Sequence, residues 1–565
     1  MKTLNLHCNY IKFKALKKAI KTIEEIAPNQ IEEGESKECL VILVAVEKSD
    51  SKITIPQLIE SIKKIAKDVK TESIVLYPYA HLSSNLGSPE KAIEILNETA
   101  KQLAPLKVIQ APFGYYKSLE LKVKGHPLSE LSKEFKIETT ESENLTEDQI
   151  SKLLRQISKA KLDTSKLAEN DHRIIGNKMD LWSFNNVAPG MVFWHPKGLH
   201  IKNKLTEFWR ELHRIGGYEE ISTPQIMDKK LWEVSGHWSK YGESNFKTEY
   251  EKRDFLIKPM NCPGGMLVYK TSPKTYRDLP LRVGEIGIVH RVELSGTLGG
   301  LFRVIQFTQD DAHIFCTESQ LEDEVIKIID LINKTFNQFG LEFDHVELST
   351  RPEKRVGSEK IWDMAEKALE KILKKSGMKY EVNKGDGAFY GPKIDFHLKD
   401  SLNRTWQCST IQLDMALPER FDISYQDKNA KDVRPIMLHR VIYGSFERFI
   451  GIITEHFNGK FPLWLSPNQI KIMTLNDETK EYAQEIFQDL FQEGFQVELN
   501  DKSESMGKKA REAQIQRFNY LVTVGEKEKT ENKIAVRERN SKEIITMTLR
   551  EFKEKIKEKI SQKQL

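Results

Sequence analysis

Cysteine is scarce in this chain and serves no shared scaffold. The five residues Cys8, Cys39, Cys262, Cys316 and Cys408 are odd in number and scattered, with no CxxC pair. That argues against a disulfide framework and for a reducing compartment. Long apolar runs are also missing. The longest, at about residues 40–46, is far shorter than the roughly 18 residues that a membrane span needs. The opening MKTLN has no basic segment leading into an apolar one. These absences predict a cytoplasmic protein with no membrane contact. The sequence contains neither GxxxxGKS/T nor GxGxxG behind a strand, which disfavours P-loop and Rossmann folds. Tandem repeats and low-complexity tracts are absent as well. Charge of one sign is not in excess: 87 basic and 83 acidic residues leave only +4, so a polyanionic partner would have to be met by local patches.

What is present indicates a soluble protein of several domains. A chain of 565 residues, 30% charged and 39% hydrophobic, is too long for one core and suggests three or four. The expected fold class is α+β and α/β multidomain. Residues 1–138 read as a small α/β unit, with apolar strands at 39–46 and 73–77. Leu58, Ile62, Ile65 and Val69 recur at helical spacing after Pro56, and Ser88 and Pro89 open a second helix. Thr146 and Gln149 form a capping-box pattern ahead of an amphipathic helix, giving a linker at 139–170. Residues 171–466 carry the motifs, with a long helix at 198–215, a strand pair in GAFYGPKIDF and TWQCSTIQLD, and strand then helix in RPIMLHRVIYGSFERFIGI. Consecutive strands flanked by helices predict an antiparallel sheet. Residues 467–565 alternate strand and helix as a compact βαβ-type unit, with Lys508, Lys509, Arg511 and Arg517 on or near one helix.

The stretch from His290 to Phe315 reads as two strands, 289–294 and 301–315, joined by a glycine-bearing loop. Counting by twos from Arg303 gives Ile305, Phe307, Gln309, Asp311 and His313, one face bearing a cation, an amide, a carboxylate and an imidazole. Alternation alone leaves a solvated face and a functional face both open. Cys262, His313 and His439 are ligand types that zinc accepts, but no spacing rule joins them.

Taken as a whole, HRVELSGTLGGLFRVIQFTQDDAHIF resembles motif 2 of the class II aminoacyl-tRNA synthetases, and QDDAHIF resembles the threonyl-tRNA synthetases in particular. MNCPG, DDAHIF and MLHR match the segments where that family holds zinc. The resemblance therefore implies one Zn²⁺ per subunit on Cys262, His313 and His439, with Mg²⁺ accompanying ATP. It implies ATP-dependent ligation of L-threonine to tRNA(Thr) through a threonyl-adenylate. Arg291 and Arg448 would hold phosphates, with Glu293, Arg303, Gln407 and Ser445 around the nucleotide. Met260, Gln309, Asp311, Tyr390 and Gln412 would line the amino-acid pocket, and Lys393 would assist activation. His237, in SGHW, matches the histidine that the family links to deprotonating the tRNA ribose. GGYEEISTP resembles motif 1, which implies a homodimer. In one departure, the family's PMNCPGH is here PMNCPGG, with Gly265 in place of a histidine.

Selectivity against serine requires more than a pocket, because one missing methyl is worth only about 1–3 kcal/mol. HLSSN, FGYYK and KGHPLSE resemble the editing domain of archaeal threonyl-tRNA synthetases, which is similar to D-aminoacyl-tRNA deacylases. His81, Tyr116, Lys117 and Glu130 are the matching positions. MGKKAREAQ, VGEKE and AVRER resemble the anticodon-binding domain, where Glu528 and Arg537 would meet anticodon bases.

Overall fold

A computed structural model describes residues 1–20, 32–135, 147–157, 167–242 and 245–565. They form two compact units, 1–147 and 148–565. In the first, β1 (Lys2–Lys18) runs antiparallel to β2 (Glu33–Ala45), from Lys2 opposite Ala45 to Lys14 opposite Glu33. The chain continues through α1 (Ile55–Asp68), β3 (Ser73–Pro78), α2 (Pro89–Gln102), β4 (Lys107–Gln110), β5 (Tyr115–Val123) and β6 (Glu130–Glu134). The sheet order is β4-β3-β2-β1-β5, with β6 on the near half of β1. Helices need one buried stripe, and Leu58, Ile62 and Ile65 of α1 with Ile95 and Leu96 of α2 supply it against Leu40, Ile42, Val44 and Leu76. Each such aliphatic side chain contributes about 1.5–3 kcal/mol on burial. Ser88 caps α2 as expected, its hydroxyl accepting from Lys91 N–H. The opposite sheet face carries Cys8, Phe13, Val41, Leu43, Val75 and Tyr77. The long β1 was not foreseen.

The expected linker helix is α3 (Glu147–Ile157); Thr146 of its capping box lies outside the described residues. Next come α4 (Pro196–Ile215), β7 (Glu219–Glu220), α5 (Cys262–Tyr269), β8 (Leu281–His290), β9 (Gln306–Cys316), α6 (Leu321–Asn337), β10 (Phe343–Ser349) and α7 (Glu359–Ser376). They are followed by β11 (Glu381–Asn383), β12 (Lys393–Lys399), β13 (Thr405–Asp414), β14 (Ile436–Val441) and α8 (Phe446–His456). Eight strands form one sheet in the order β11-β10-β12-β13-β14-β9-β8-β7. Pairing is antiparallel except at the two ends, β10 with β11 and β8 with β7. Helices cover one face, with Leu205 and Trp209 of α4, Ile328 and Ile332 of α6, Leu369 of α7 and Phe449 of α8 in a common core. On the other face, Cys262, Met266 and Tyr269 of α5 pack with Leu417, Phe421 and Tyr425 over Val283, Phe315 and Met437.

The motif-2 strands are shorter than the sequence suggests. β8 ends at His290 and β9 begins at Gln306, so Arg303 and Ile305 stand in the loop rather than on the strand. Gly300 explains part of this. Its φ of +58° is left-handed, and a Cβ there would lie 2.3 Å from His172 Nε2. Thr317 and Gln320 form a capping box ahead of α6, in which Gln320 Oε1 accepts from Thr317 N–H.

The C-terminal region has its own core. It comprises β15 (Ile470–Thr474), α9 (Lys480–Gln492), β16 (Val497–Asn500), α10 (Met506–Ile515), β17 (Tyr520–Val524), α11 (Glu526–Glu531), β18 (Ile534–Glu538), β19 (Ile545–Met547) and α12 (Leu549–Ser561). The sheet order is β16-β15-β17-β18-β19. α12, absent from the sequence reading, inserts Phe552 and Ile556 and is opened by a Thr548–Glu551 capping box. Lys509 departs from a solvated basic face: it is 2% exposed, with Nζ donating to Thr474 O at 2.8 Å. No described helix is long and apolar enough to cross a membrane.

Candidate active site

Side chains from four strands (β9, β12, β13 and β14), the motif-2 loop and the start of α8 converge on a cavity of about 540 Å³ on the face of the eight-stranded sheet that carries Gln309 and Asp311. Its walls include Met260, Arg291, Glu293, Arg303, Gln309, Asp311, Tyr390, Lys393, Gln407, Gln412, His439, Ser445 and Arg448. The residues singled out in three distant motifs therefore meet in one place. On β9 the alternation Phe307, Gln309, Asp311, His313 faces the site, as a two-residue period requires.

The cations of the cavity wall are held in place by their neighbours. Arg291 Nε donates to Pro259 O at 3.2 Å, and its guanidinium lies 5.2 Å from the Phe307 ring centre. Arg448 donates to Phe302 O at 3.1 Å and to Gln407 O at 3.2 Å. Ser445 is the N-cap of α8, its hydroxyl accepting from Arg448 N–H. Arg303 pairs with Glu293 at 2.9 Å across the loop. Lys393 pairs with Asp395 at 2.8 Å and Asp386 at 3.0 Å. Burial lowers its pKa, but these carboxylates outweigh that and raise it overall. Tyr390 donates its hydroxyl to Gln412, which in turn stands opposite Lys393.

At one end of the cavity a thiol and two imidazoles converge. His313 and His439 lie directly opposite each other on β9 and β14, with ring centres 4.9 Å apart. Cys262 arrives as the first residue of α5. One ligand atom from each of the three lies within 4.8 Å of the others, and all three residues are buried. Nε2 of His313 is buried without a hydrogen bond. Asp414 takes Nε2 of His439 at 2.7 Å, which leaves the other ring nitrogen available. Burial pushes His313 down to about 3, keeping the imidazole in the neutral form that a metal needs. The same burial raises the Cys262 thiol, and a bound cation would lower it. This donor set fits zinc with coordination positions left over.

His237 does not line the cavity. It is fully buried, with Nε2 4.0 Å from Cys262 Sγ and Nδ1 2.8 Å from Ser235 Oγ. Gly265 sits on α5 facing the cluster, where a Cβ would lie 3.4 Å from His313 Nδ1.

Several supports escaped the sequence reading. Asp310, on the far face of β9, accepts from the N–H groups of Ile442, Tyr443 and Gly444 at 2.9–3.0 Å. It thereby fixes the turn that presents Ser445 and Arg448. Lys258 and Glu285 form a buried pair at 2.9 Å, joined by Thr223. The only sequence signal for Asp310 was its place beside Asp311 in QDDAHIF.

In the first unit, Lys117 on β5 lies 4.7 Å from the Tyr77 ring centre and donates to Pro112 O at 2.8 Å. Burial lowers its pKa to about 8. Tyr77 leads through Tyr79 to His81, whose ring centre is 5.4 Å from that of Tyr79. Tyr116 is turned outward and is 64% exposed. Glu130 is exposed on β6 opposite Leu6, whereas Lys117 stands opposite Ala15, further along β1. Near the C-terminus, Glu528 Oε2 accepts from Gly525 N–H at 3.0 Å, and Arg537 lies on β18 opposite Leu521.

Residues 1–135 match the archaea-specific editing domain of threonyl-tRNA synthetase, residues 246–457 the class II tRNA synthetase core domain (G, H, P, S and T), and residues 469–559 the anticodon-binding domain. A threonine–tRNA ligase of Caldanaerobacter subterraneus is 44% identical over 526 residues, covering 90% of this chain and 80% of that protein. One of Carboxydothermus hydrogenoformans is 51% identical over 395 residues, 70% of this chain. That match spans 62% of the relative's length. Among solved structures, the RNA-binding domain of threonyl-tRNA synthetase from Cryptosporidium parvum superposes with a TM-score of 0.67 at 42% identity, covering 69% of this chain and 98% of that one.

Proposed function

The chain belongs to the threonine–tRNA ligase family, and on that premise we propose that it joins L-threonine to tRNA(Thr) with ATP through a threonyl-adenylate. We assign ligation to residues 171–466, anticodon contact to 467–565 through Glu528 and Arg537, and hydrolysis of mischarged seryl-tRNA(Thr) to 1–138, with 139–170 as linker. The observation that carries the reading is the cavity whose one end holds Cys262, His313 and His439 and whose remainder is lined by Arg291, Arg448 and Lys393.

Attack of the threonine carboxylate on the α-phosphate needs no protein nucleophile. It needs alignment, and cations where negative charge grows. Arg291 suits the α-phosphate and Arg448 the γ-phosphate, since a guanidinium binds oxygen pairs and stays charged. Lys393 is held at the cavity wall by Asp395 and Asp386. Glu293, Arg303, Gln407 and Ser445 would border the nucleotide. Gln309 and Asp311 suit the substrate's ammonium and hydroxyl, and Met260, Tyr390 and Gln412 close the amino-acid pocket. Zinc on the three ligands would supply a Lewis-acid grip on the amine and hydroxyl of threonine, which valine cannot complete, and Mg²⁺ would accompany the ATP phosphates. His237, the candidate for ribose deprotonation, must be uncovered when tRNA binds, because it lies behind Cys262.

His81, Tyr116, Lys117 and Glu130 form the proposed editing set. The chain would act as a cytoplasmic homodimer, with GGYEEISTP at the interface. The deciding experiment is threonine-dependent ATP–pyrophosphate exchange on Cys262→Ala with metal analysis of the same sample. Exchange and zinc should be lost together; normal exchange in zinc-free protein overturns the reading.

A further inference from the structure

A second group of metal-ligand type lies on the same sheet face, outside the catalytic cavity. β10 and β12 pair with Ser349 opposite Lys393, Glu347 opposite Asp395 and His345 opposite His397. Alternate residues share a face, so the two histidines and Glu347 continue the line that begins at Lys393. Their imidazole rings are stacked, with centres 4.3 Å apart and planes 8° from parallel. Glu347 reaches both: Oε1 is 3.5 Å from His345 Nε2 and Oε2 is 3.4 Å from His397 Nε2. One donor atom from each residue lies within 4.8 Å of the others.

An imidazole binds a metal in its own plane, so one of the two stacked rings turns for both Nε2 atoms to meet one ion. Asp344 Oδ2 is 2.9 Å from His345 Nδ1, the outer carboxylate that fixes a histidine's tautomer and leaves Nε2 for a metal. Asn383 Nδ2 donates to Glu347 Oε2 at 2.9 Å and holds the carboxylate. Nε2 of His397 is buried, with the Glu347 carboxylate 3.4 Å away and no aligned hydrogen bond to it. Asp395, next along the same face, is engaged by Lys393, Ser349, Gln407 and Thr410.

We propose that His345, Glu347 and His397 bind a second divalent ion of the zinc class, separate from the one assigned to Cys262, His313 and His439. Two imidazoles and a carboxylate suit Zn²⁺, Co²⁺ or Ni²⁺, and three protein ligands leave room for water. The side chains are 17–30% exposed, so the ion has access from solvent. Bound there, it ties β10 to β12, the strand that carries Lys393 and Asp395 into the catalytic cavity. The assignment stands on binding alone and does not depend on the ligase reading.

Cobalt distinguishes the two sites, because only the first offers a thiolate and hence an intense near-ultraviolet charge-transfer band. The full chain, stripped of metal and titrated with Co²⁺, should take up two ions. A His345→Ala/His397→Ala variant should take up one and keep the thiolate band. Cys262→Ser should also take up one, with only weak visible bands. Uptake by the native chain of a single ion that carries the thiolate band, or of none by Cys262→Ser, overturns the proposal. The Cys262→Ser arm decides even if the histidine variant does not fold.

Discussion

Lys258 and Glu285 are 0% and 3% exposed at the side chain, and each is tolerable in the interior only because of the other. Glu285 also accepts from the N–H and the hydroxyl of Thr223 at 2.9 and 2.8 Å. Removing one charge strands its partner, which costs about 3–5 kcal/mol, whereas removing both is far milder. Urea unfolding should therefore show Lys258→Met destabilised by about that much, with most of the loss recovered in Lys258→Met/Glu285→Gln. An equal loss in the double variant would contradict the pairing. Lys117 is the opposite case, a cation with no carboxylate partner among the described residues and a pKa lowered by burial from 10.5 to about 8. From about pH 8 to 10.5 the unfolded chain holds a proton that the folded one has released, so this group's contribution to stability rises with pH over that window. An amine-acylation profile should show one lysine titrating near 8, and Lys117→Gln should abolish that phase.

Among the elements, residue types were more legible than contacts. Zinc-type ligands could be picked out by chemistry, but their convergence depends on His313 and His439 falling opposite each other on β9 and β14, a register no local pattern encodes. The long antiparallel sheet was visible as successive apolar strands. The ends of β8 and β9 were not, because hydrophobic alternation runs on through Phe302, Val304 and Ile305 while the loop turns at Gly300. Asp310 carries no local signal, because its three backbone partners come from a turn more than 130 residues away. α12 was obscured by its charge, since only Phe552 and Ile556 are fully buried in LREFKEKIKEKIS. A close approach between elements yields a further prediction. Gly391 stands where a Cβ would come 1.7 Å from Leu413 O, at the crossing from the Tyr390 loop into β12. Gly391→Ala must push β13 away, at a cost of about 1–3 kcal/mol. It should also weaken threonine binding by disturbing the hydrogen bond from Tyr390 to Gln412. Unfolding and calorimetric binding measure the two effects, and an unchanged affinity would remove Tyr390 from the pocket.

For the whole molecule, the decisive fact is that burial is partitioned. The apolar residues of the first unit belong to two clusters drawn only from residues 1–135, and the eight-stranded sheet and C-terminal region bury their own. A chain built this way can lose one unit without opening the core of another. The proposed chemistry is partitioned in the same manner, with Lys117 and His81 in the first unit and every proposed ligand of ATP and threonine in the second. Serine keeps the amine and hydroxyl of threonine and lacks one methyl, so the ligation site alone can reject it by only about 10–200-fold. Deleting residues 1–138 should therefore leave cooperative unfolding of the remainder and threonine charging of tRNA near the full-length rate. Serine charging should change sharply: seryl-tRNA(Thr) should accumulate with the truncated chain and stay at background with the intact one. Adding the separate 1–138 fragment should clear it. If the truncated chain charges threonine but serine never accumulates, hydrolysis of the wrong product does not reside in the first unit, and discrimination must lie wholly in the cavity beside Cys262, His313 and His439.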